Sequence, residues 1–205
     1  MPRADIRELG IDEYRAAIPE LADLVLDAVA GGASINFLGS VTHDEASAWW
    51  RDREGDVADG VISPFVACVD DRIVGSTLLI RSVKANSPHR AEIGKVVVHR
   101  SVRRQGIAAR LMQAVEDRAR AEGRWLLVLD TVSGSAADSL YRSLGWHETG
   151  VVPNYAMLPD GTPWAATFFW KDLRNEAAPP AVRAAGATDE VPDRSMVAQR
   201  SGRVG

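Results

Sequence analysis

The sequence predicts an α/β (α+β) domain with a central, twisted, mixed β-sheet of about seven strands and about four helices on its two faces. Three observations support this fold class. Segments rich in β-branched residues alternate with segments whose apolar residues recur at helical spacing. Residues 92–129 have the pattern strand, helix, strand, which is typical of a right-handed crossover between parallel strands. The length of 205 residues suits one domain with a sizeable core.

The first half of the chain predicts five elements. They are a strand over 4–10, a helix over 11–32, a helix over 42–60, and strands over 61–69 and 72–80. Pro19 is expected to kink or interrupt the first helix, because it lacks an amide hydrogen. Thr42 and Glu45 have the spacing of a capping box, which places the start of the second helix. A tight turn at 70–72 joins the two strands into a hairpin.

The second half of the chain predicts six further elements. They are a strand over 92–98, a helix over 106–121, a strand over 125–129, a helix over 134–146, and a closing hairpin of strands over 150–158 and 165–173. Ile107, Leu111 and Val115 recur at i, i+4 and i+8, which gives the first of these helices one apolar face. The continuous apolar run 125–129 is typical of a strand buried on both faces.

The composition changes near Asn175. Residues 175–205 contain no aromatic side chain, few large apolar ones and many Ala, Pro, Gly and charged residues. Such a segment cannot bury enough apolar area to offset its ordering entropy. We therefore expect a domain over 1–174 and a disordered tail over 175–205.

Composition also limits the function classes. The formal net charge of −4 argues against a nucleic-acid-binding protein, which needs a basic face. No stretch has the length of a membrane span, and the single cysteine, Cys68, rules out an internal disulfide. The histidines lack metal-ligand spacing, so no metal is expected. These features predict a soluble, cytoplasmic protein without a membrane or nucleic-acid partner.

The segment VRRQGIAARLM, residues 102–112, places a basic, glycine-containing turn between a strand and a helix. The first amide groups of a helix lack internal partners and carry the positive end of the helix dipole, so this arrangement favours an anion such as phosphate. The chain contains neither the phosphate-binding loop G-x-x-x-x-G-K-[ST] nor the dinucleotide fingerprint G-x-G-x-x-G. A different phosphate ligand is therefore expected.

The turn Arg103-x-x-Gly106-x-Ala108 resembles the [QR]-x-x-G-x-[GA] motif of the GCN5-related N-acetyltransferase (GNAT) superfamily. The segment 134–146, with Tyr141, Gly145 and Trp146 in register, resembles that family's second signature, Y-x-x-x-G-[FW]. The resemblance covers roughly residues 4–173 and is closest to the tabtoxin-resistance acetyltransferases. It implies the GNAT fold and acetyl-CoA as co-substrate.

The resemblance implies a bulge in the strand before the turn, which splays this strand from its parallel neighbour. Backbone groups in the gap would bind the pantetheine arm of acetyl-CoA, and the turn itself would bind the pyrophosphate. The positions that the resemblance implies for the cofactor are Val96, Val97, Val98, Arg103, Arg104, Gln105, Gly106, Ile107, Ala108, Ser135 and Tyr141. Many relatives have Asn where Gly134 stands here, so the contact of that Asn is either lost or made by Ser133 or Ser135.

Three residues are candidates for catalysis. By its spacing from the turn, Glu92 resembles the general base of the histone-acetylating branch, and the alternative is an exposed carboxylate at the strand entry. Asp130 ends an apolar strand at the edge where ligand clefts of α/β sheets open, and the alternative is a cap for the next turn. Tyr141 is expected on the inward face of its helix as the proton donor to the leaving thiolate, and the alternative is a core aromatic.

The acceptor is expected to be the primary amine of a small molecule, with antibiotics and toxins among the candidates. In this family the first two helices and their loop cover the acceptor, which points to Ser34, Phe37 and Trp49 beside Asp130. Two alternatives are a non-catalytic acyl-CoA-binding sensor and a protein acetylase acting on a lysine or an N-terminus. The oligomeric state is left open, with a homodimer as a candidate.

Overall fold

The computed structural model describes residues 4–174, and the tail expected over 175–205 lies outside these described residues. The strands are β1 (Asp5–Glu8), β2 (Ile62–Val69), β3 (Arg72–Arg81), β4 (Arg90–Val98), β5 (Leu126–Val132), β6 (His147–Met157) and β7 (Pro163–Asp172). The helices are α1 (Ile11–Ala30), α2 (His43–Arg51), α3 (Glu54–Ala58), α4 (Ile107–Ala121) and α5 (Ala136–Ser143). A 3₁₀ turn over Arg100–Val102 follows β4.

The strands form one seven-stranded sheet in the order β1-β2-β3-β4-β5-β7-β6. Strands β4 and β5 are parallel, and every other neighbouring pair is antiparallel. Helix α4 makes the crossover between the parallel strands. The predicted fold class, a mixed sheet of about seven strands with helices on both faces, is confirmed.

Each face of the sheet carries its own apolar core. The core under α1 and α2 contains Tyr14, Leu21, Val25, Trp50, Val66 and Leu78. The core under α4 and α5 contains Leu79, Leu111, Met112, Val115, Leu127 and Tyr141. Because side chains alternate along a strand, Leu78 and Leu79 pack on opposite faces. Gly75 of β3 lets α4 approach closely, since a Cβ there would lie 3.2 Å from the Leu111 side chain.

Two expectations about the first helices need correction. Helix α1 runs through Pro19 without interruption, because its long apolar face is buried against the sheet and outweighs the lost backbone hydrogen bond. The helix expected over 42–60 is two helices, α2 and α3. At the break, the Arg53 amide donates to Trp50 O at 3.1 Å, and the Arg53 guanidinium itself donates to Trp49 O at 2.6 Å.

Candidate active site

A β-bulge at Lys95 interrupts the regular alternation of β4. Leu78 of β3 lies opposite Gly94, and Ser76 lies opposite Val97, so β4 contains one extra residue across this interval. The bulged residue, Lys95, has a φ of 52°. The bulge therefore reverses the faces to which the later side chains of β4 point.

The bulge agrees with the one that the family resemblance implies for this strand, and it sets the faces of the later side chains. Regular alternation would place Glu92, Val96 and Val98 on one face. Glu92 lies on the face of α1, opposite to its neighbour Ile93, which packs under α4. Val96 and Val98 pack against the α4 core instead, so they lie on the face opposite Glu92. The extra residue in the bulge accounts for this reversal.

After Glu92, β4 diverges from β5. The two strands pair only from Arg90 to Glu92 and from Leu126 to Val128 within residues 4–174. The later part of β5 pairs with β7 on its other side. The facing edges of 93–98 and 129–132 thus leave backbone N–H and C=O groups available to an extended ligand arm. We call the gap between the unpaired parts of β4 and β5, on the side of the turn before α4, the cleft.

The turn before α4 has the features of an anion site. Gly106 is the N-cap of α4 with a φ of 75°, and no side chain caps the helix. The amide groups of the first turn, from Ile107 onward, are therefore left to bind another acceptor. Arg103 and Arg104 are exposed beside them, and the Arg103 side chain donates to Val98 O at 3.1 Å. Gln105 is also exposed in this turn.

Asp27 of α1 fixes the chain between β4 and this turn. Its carboxylate accepts from the Arg100 amide and from the Arg100 guanidinium, each at 2.9 Å. His99 Nε2 lies 3.4 Å from the same carboxylate. These contacts hold the end of β4 against α1, so the basic turn begins at a defined position at the mouth of the cleft.

Glu92 and Asp130 lie on the face of the sheet covered by α1 and α2. Asp130 alternates with Leu127 and Leu129, which pack under α4. Both carboxyl groups reach solvent, yet neighbouring protein atoms displace part of their hydration. This burial raises the pKa of Glu92, and the charge of Asp130 raises it further. Burial also raises the pKa of Asp130, while the charge of Lys95 partly opposes that shift.

Tyr141 is on the inward face of α5, and its side chain is 4% exposed. Its ring packs at 6.1 Å from Trp146 and 6.0 Å from Phe169. Glu116 fixes Trp146 by accepting from its indole N–H at 3.1 Å. Burial raises the pKa of the Tyr141 hydroxyl, and Asp130 adds to this shift, so the phenol stays protonated at neutral pH.

In the segment before α5, Gly134 stands at the position where many relatives have Asn. Gly134 has a φ of 73°, a conformation that Gly adopts without strain, and its amide donates to the Asp138 carboxylate at 3.0 Å. Ser135 is the N-cap of α5 and accepts from the Asp138 amide at 3.2 Å. The Ser133 hydroxyl is 2.7 Å from the Thr167 hydroxyl. Both serines thus have structural partners at the cleft edge.

The loop between α1 and α2 brings two predicted acceptor residues together. Phe37 and Trp49 are half-buried and meet edge to face, with ring centroids 6.0 Å apart. Trp50, by contrast, is 1% exposed and belongs to the core. Ser34 donates to Met157 O at 2.9 Å, so it ties this loop to the β6–β7 hairpin. An aromatic wall therefore stands on the same sheet face as Glu92 and Asp130.

Sequence reasoning missed two cations in this wall, Lys95 and Arg53. The Lys95 ammonium donates to Ile35 O at 2.6 Å and lies 4.3 Å from the centroid of Trp49. The Arg53 guanidinium lies 3.3 Å from the same ring. The signals were a lysine inside the apolar run EIGKVVV and an arginine four residues after Trp49. Neither signal was used: a bulge was expected in this strand but was not placed at Lys95, and an unbroken helix was expected around Arg53.

Two further features bear on the kind of site in residues 4–174. No group of three or more His, Cys, Asp or Glu side chains in this part of the chain is arranged to hold a metal ion. Among the same residues, no helix combines the length and apolar character needed to cross a membrane.

A protein-family model described as the acetyltransferase (GNAT) family matches residues 29–146, which is more than half of the chain. The matched region runs from the end of α1 through α5. It therefore includes the bulged strand, the basic turn and the candidate catalytic side chains.

Similar proteins include N-alpha-acetyltransferase 30 of Schizosaccharomyces pombe, which is 35% identical over 83 residues. That match covers 40% of this chain and 55% of the relative, so this chain spans about half the length of that protein. A ribosomal-protein-alanine N-acetyltransferase of Brucella melitensis superposes with a TM-score of 0.65 at 24% identity, over 82% of this chain and 99% of that one. The yncA protein of Salmonella typhimurium, assigned as an acetyltransferase, was solved with its cofactor acetyl-CoA. It superposes with a TM-score of 0.66 at 23% identity, over 88% of this chain and 99% of that one. At these identities the two structures support the fold.

Proposed function

Because the chain belongs to the GNAT acetyltransferase family, we propose that its cleft binds acetyl-CoA and transfers the acetyl group to the primary amine of a small molecule. The observation that carries the proposal is the divergence of β4 and β5 toward the Gly106 turn. Carboxyl groups stand at the point of divergence, and a buried tyrosine packs behind it.

The residues of the cleft fit the cofactor. The first-turn amides of α4 from Ile107 and Ala108, together with Arg103, Arg104 and Gln105, would hold the pyrophosphate. The backbone of 96–98 would bind the pantetheine arm, because this edge of β4 has no partner strand within the described residues. When bound, acetyl-CoA supplies the acetyl thioester.

The chain's own residues would move two protons. Glu92 or Asp130 accepts the proton that the ammonium form of the acceptor carries, directly or through a water, and the freed nitrogen lone pair then forms the new bond to the acetyl carbon. The second proton, which the nitrogen loses as the amide forms, passes to solvent and restores the hydroxyl of the residue that protonates the sulfur. A free amine has a pKa near ~10, so a carboxylate with a raised pKa is the better base near neutral pH. Tyr141 donates its hydroxyl proton to the sulfur as the C–S bond breaks, and the products are the amide and the free thiol.

A second candidate acceptor is a protein N-terminus. The names of the Schizosaccharomyces pombe relative and of the Brucella melitensis structure favour it. The half-buried aromatic wall of Phe37 and Trp49, closed by the bond from Ser34 to the β6–β7 hairpin, favours the small amine. We therefore propose the small amine as the acceptor. From the sequence we also propose a cytoplasmic location and membership of the tabtoxin-resistance subgroup.

The test is a screen for release of coenzyme A. Purified protein and acetyl-CoA are incubated with amino acids, aminoglycosides, β-lactam amino-acid toxins and peptides with different N-termini. We expect turnover above the hydrolysis background with a small amine. Turnover with peptides alone would establish the protein acetylase instead. Cofactor binding without turnover on any acceptor would favour the non-catalytic sensor.

A further inference from the structure

The ring of Trp49 makes cation–π contacts with both Lys95 and Arg53. This ring belongs to the aromatic wall on the sheet face of Glu92 and Asp130. The Lys95 ammonium lies 4.3 Å from the ring centroid, and the Arg53 guanidinium carbon lies 3.3 Å from it. Lys95 owes this place to the bulge in β4, and Arg53 owes it to the break between α2 and α3. Two irregularities of the backbone thus bring these charges together.

The hydrogen bonds of both cations go to carbonyl oxygens. Lys95 donates to Ile35 O, and Arg53 donates to Trp49 O, each at 2.6 Å. Both side chains are half-buried, and in the part of the chain that the structure describes neither forms an ion pair with a carboxylate. Each bond leaves further N–H donors on its cation, and these donors can bind an anion.

Holding these two charges together is costly for the fold. Burial, together with the charge of Arg53, lowers the pKa of Lys95 to about 8, so Lys95 stays mostly charged at neutral pH. Two like charges on one partly desolvated ring oppose folding, and an apolar residue at either position would avoid this. Such an arrangement is typical of a binding site for an anion.

The charges of the cleft form two groups. Carboxyl groups lie at Glu92 and Asp130, and the charge of Asp130 also acts on Lys95. Cations lie at Lys95 and Arg53. The carboxylates of Asp52 and Asp56 act on Arg53 without forming an ion pair with it in the described part of the chain. A simple amine or a polycation would complement only the carboxyl groups. A molecule with both an amine and a carboxylate would complement both groups.

We propose that Lys95, with Arg53 beside it, binds a carboxylate of the acceptor, so that the acceptor is an amino acid rather than a simple amine. This inference rests on the proposed function, because it names the acceptor of that same site. Lys95 is then a specificity-determining residue, and the chemistry stays with Glu92, Asp130 and Tyr141.

The test compares amino acids with the amines that their decarboxylation yields, such as lysine with cadaverine and phenylalanine with phenethylamine. We expect kcat/KM for the preferred amino acid to exceed that of its decarboxylated partner by about 100-fold, because the unmatched cations disfavour the simple amine. Lys95→Met should reduce this preference by at least about 10-fold, mainly through KM, and Lys95→Arg should retain part of it. Lys84→Met, a change of an exposed lysine in the loop after β3, is the matched control and should leave the preference unchanged.

The outcomes separate this inference from the proposed function. Equal turnover of amino acids and simple amines by the unmodified protein would overturn the carboxylate site while leaving the acetyltransferase intact, and this comparison does not depend on any variant folding. An unchanged preference in a folded Lys95→Met protein would overturn the role of Lys95. Acetyl-CoA binding without turnover of any acceptor would overturn the proposed function, and this inference with it.

Discussion

Glu92 on β4 and Asp130 on β5 lie on the same face of the sheet at the point where the two strands diverge. Burial and the charge of Asp130 together raise the pKa of Glu92. Proximity of two carboxyl groups in a partly desolvated cleft opposes their joint ionisation, so each becomes a better proton acceptor than a carboxyl group in water. The pair therefore provides a base at the place where an acceptor amine would meet the acetyl group.

Replacement of either carboxyl group by its amide tests the base. Glu92→Gln and Asp130→Asn remove the proton-accepting oxygen with little change of shape. For at least one of them we expect turnover at pH 7 to fall by ~10²-fold or more, the usual scale for general base catalysis. The loss should shrink at high pH, where the amine is already neutral. Near-full activity in both variants at pH 7 would favour transfer to an amine that loses its proton to solvent.

The coupling of the two carboxyl groups predicts a pH effect. Asp130 raises the pKa of Glu92, while Arg90 lowers it, so Asp130→Asn should lower the pKa of Glu92. Since a carboxylate accepts protons only above its pKa, the acidic limb of the residual activity should move to lower pH. NMR titration of the Glu92 side-chain carbon measures the same shift without activity. A pKa that rises or stays constant in Asp130→Asn would contradict the coupling.

Tyr141→Phe keeps the packed ring and removes the proton donor. Acetyl-CoA affinity should stay within a few-fold, while turnover falls by ~10-fold or more. Tyr14→Phe is the matched control, because Tyr14 is also buried and its hydroxyl donates to Trp50 O at 2.7 Å, in the core under α1. The control should lose about 1–2 kcal/mol of stability and little turnover. Equal losses of turnover in both variants, or none in Tyr141→Phe, would assign Tyr141 a structural role.

A chain that ends at Asn175 tests the proposed domain boundary. Residues 4–174 complete the sheet through β7 and contain both apolar cores, so the shortened protein should keep its melting temperature and acetyl-CoA affinity within error. Thermal unfolding and calorimetry on both lengths make the comparison. A decrease of several degrees would show that residues beyond 175 contribute to the domain.

Sequence patterns were sufficient to predict the order of the strands and long helices, because the long helices have an apolar period that matches their buried faces and most strands have β-branched or continuous apolar runs. The short helix α3 was not separated from α2. The same patterns assigned Glu92 and the Arg103–Ala108 turn to one candidate site, because the two are close along the chain. Asp130 and Tyr141 could be added because strand ends and helix faces follow from position.

Periodicity alone could not predict where the backbone departs from regular geometry, although the family resemblance implied a bulge in β4. The bulge at Lys95 depends on pairing with β3, and it moves Val96 and Val98 to the face opposite Glu92. At the break after α2, the Arg53 side chain donates to the Trp49 carbonyl four residues earlier, a local contact that apolar periodicity does not register. One departure is thus tertiary and the other local, and together they place the two cations of the acceptor wall.

Calorimetric titration of acetyl-CoA into Gly106→Asp tests most directly whether the cleft holds the cofactor by its pyrophosphate at the turn before α4. The change adds a negative charge where the phosphate groups must approach. Gly123→Asp is the matched control, since Gly123 follows the other end of α4 with a φ of 73°, against 75° at Gly106. We predict at least a ~100-fold loss of affinity in a folded Gly106→Asp protein and an unchanged affinity in Gly123→Asp. Equal affinity in the two folded variants would contradict the assignment of the cofactor site.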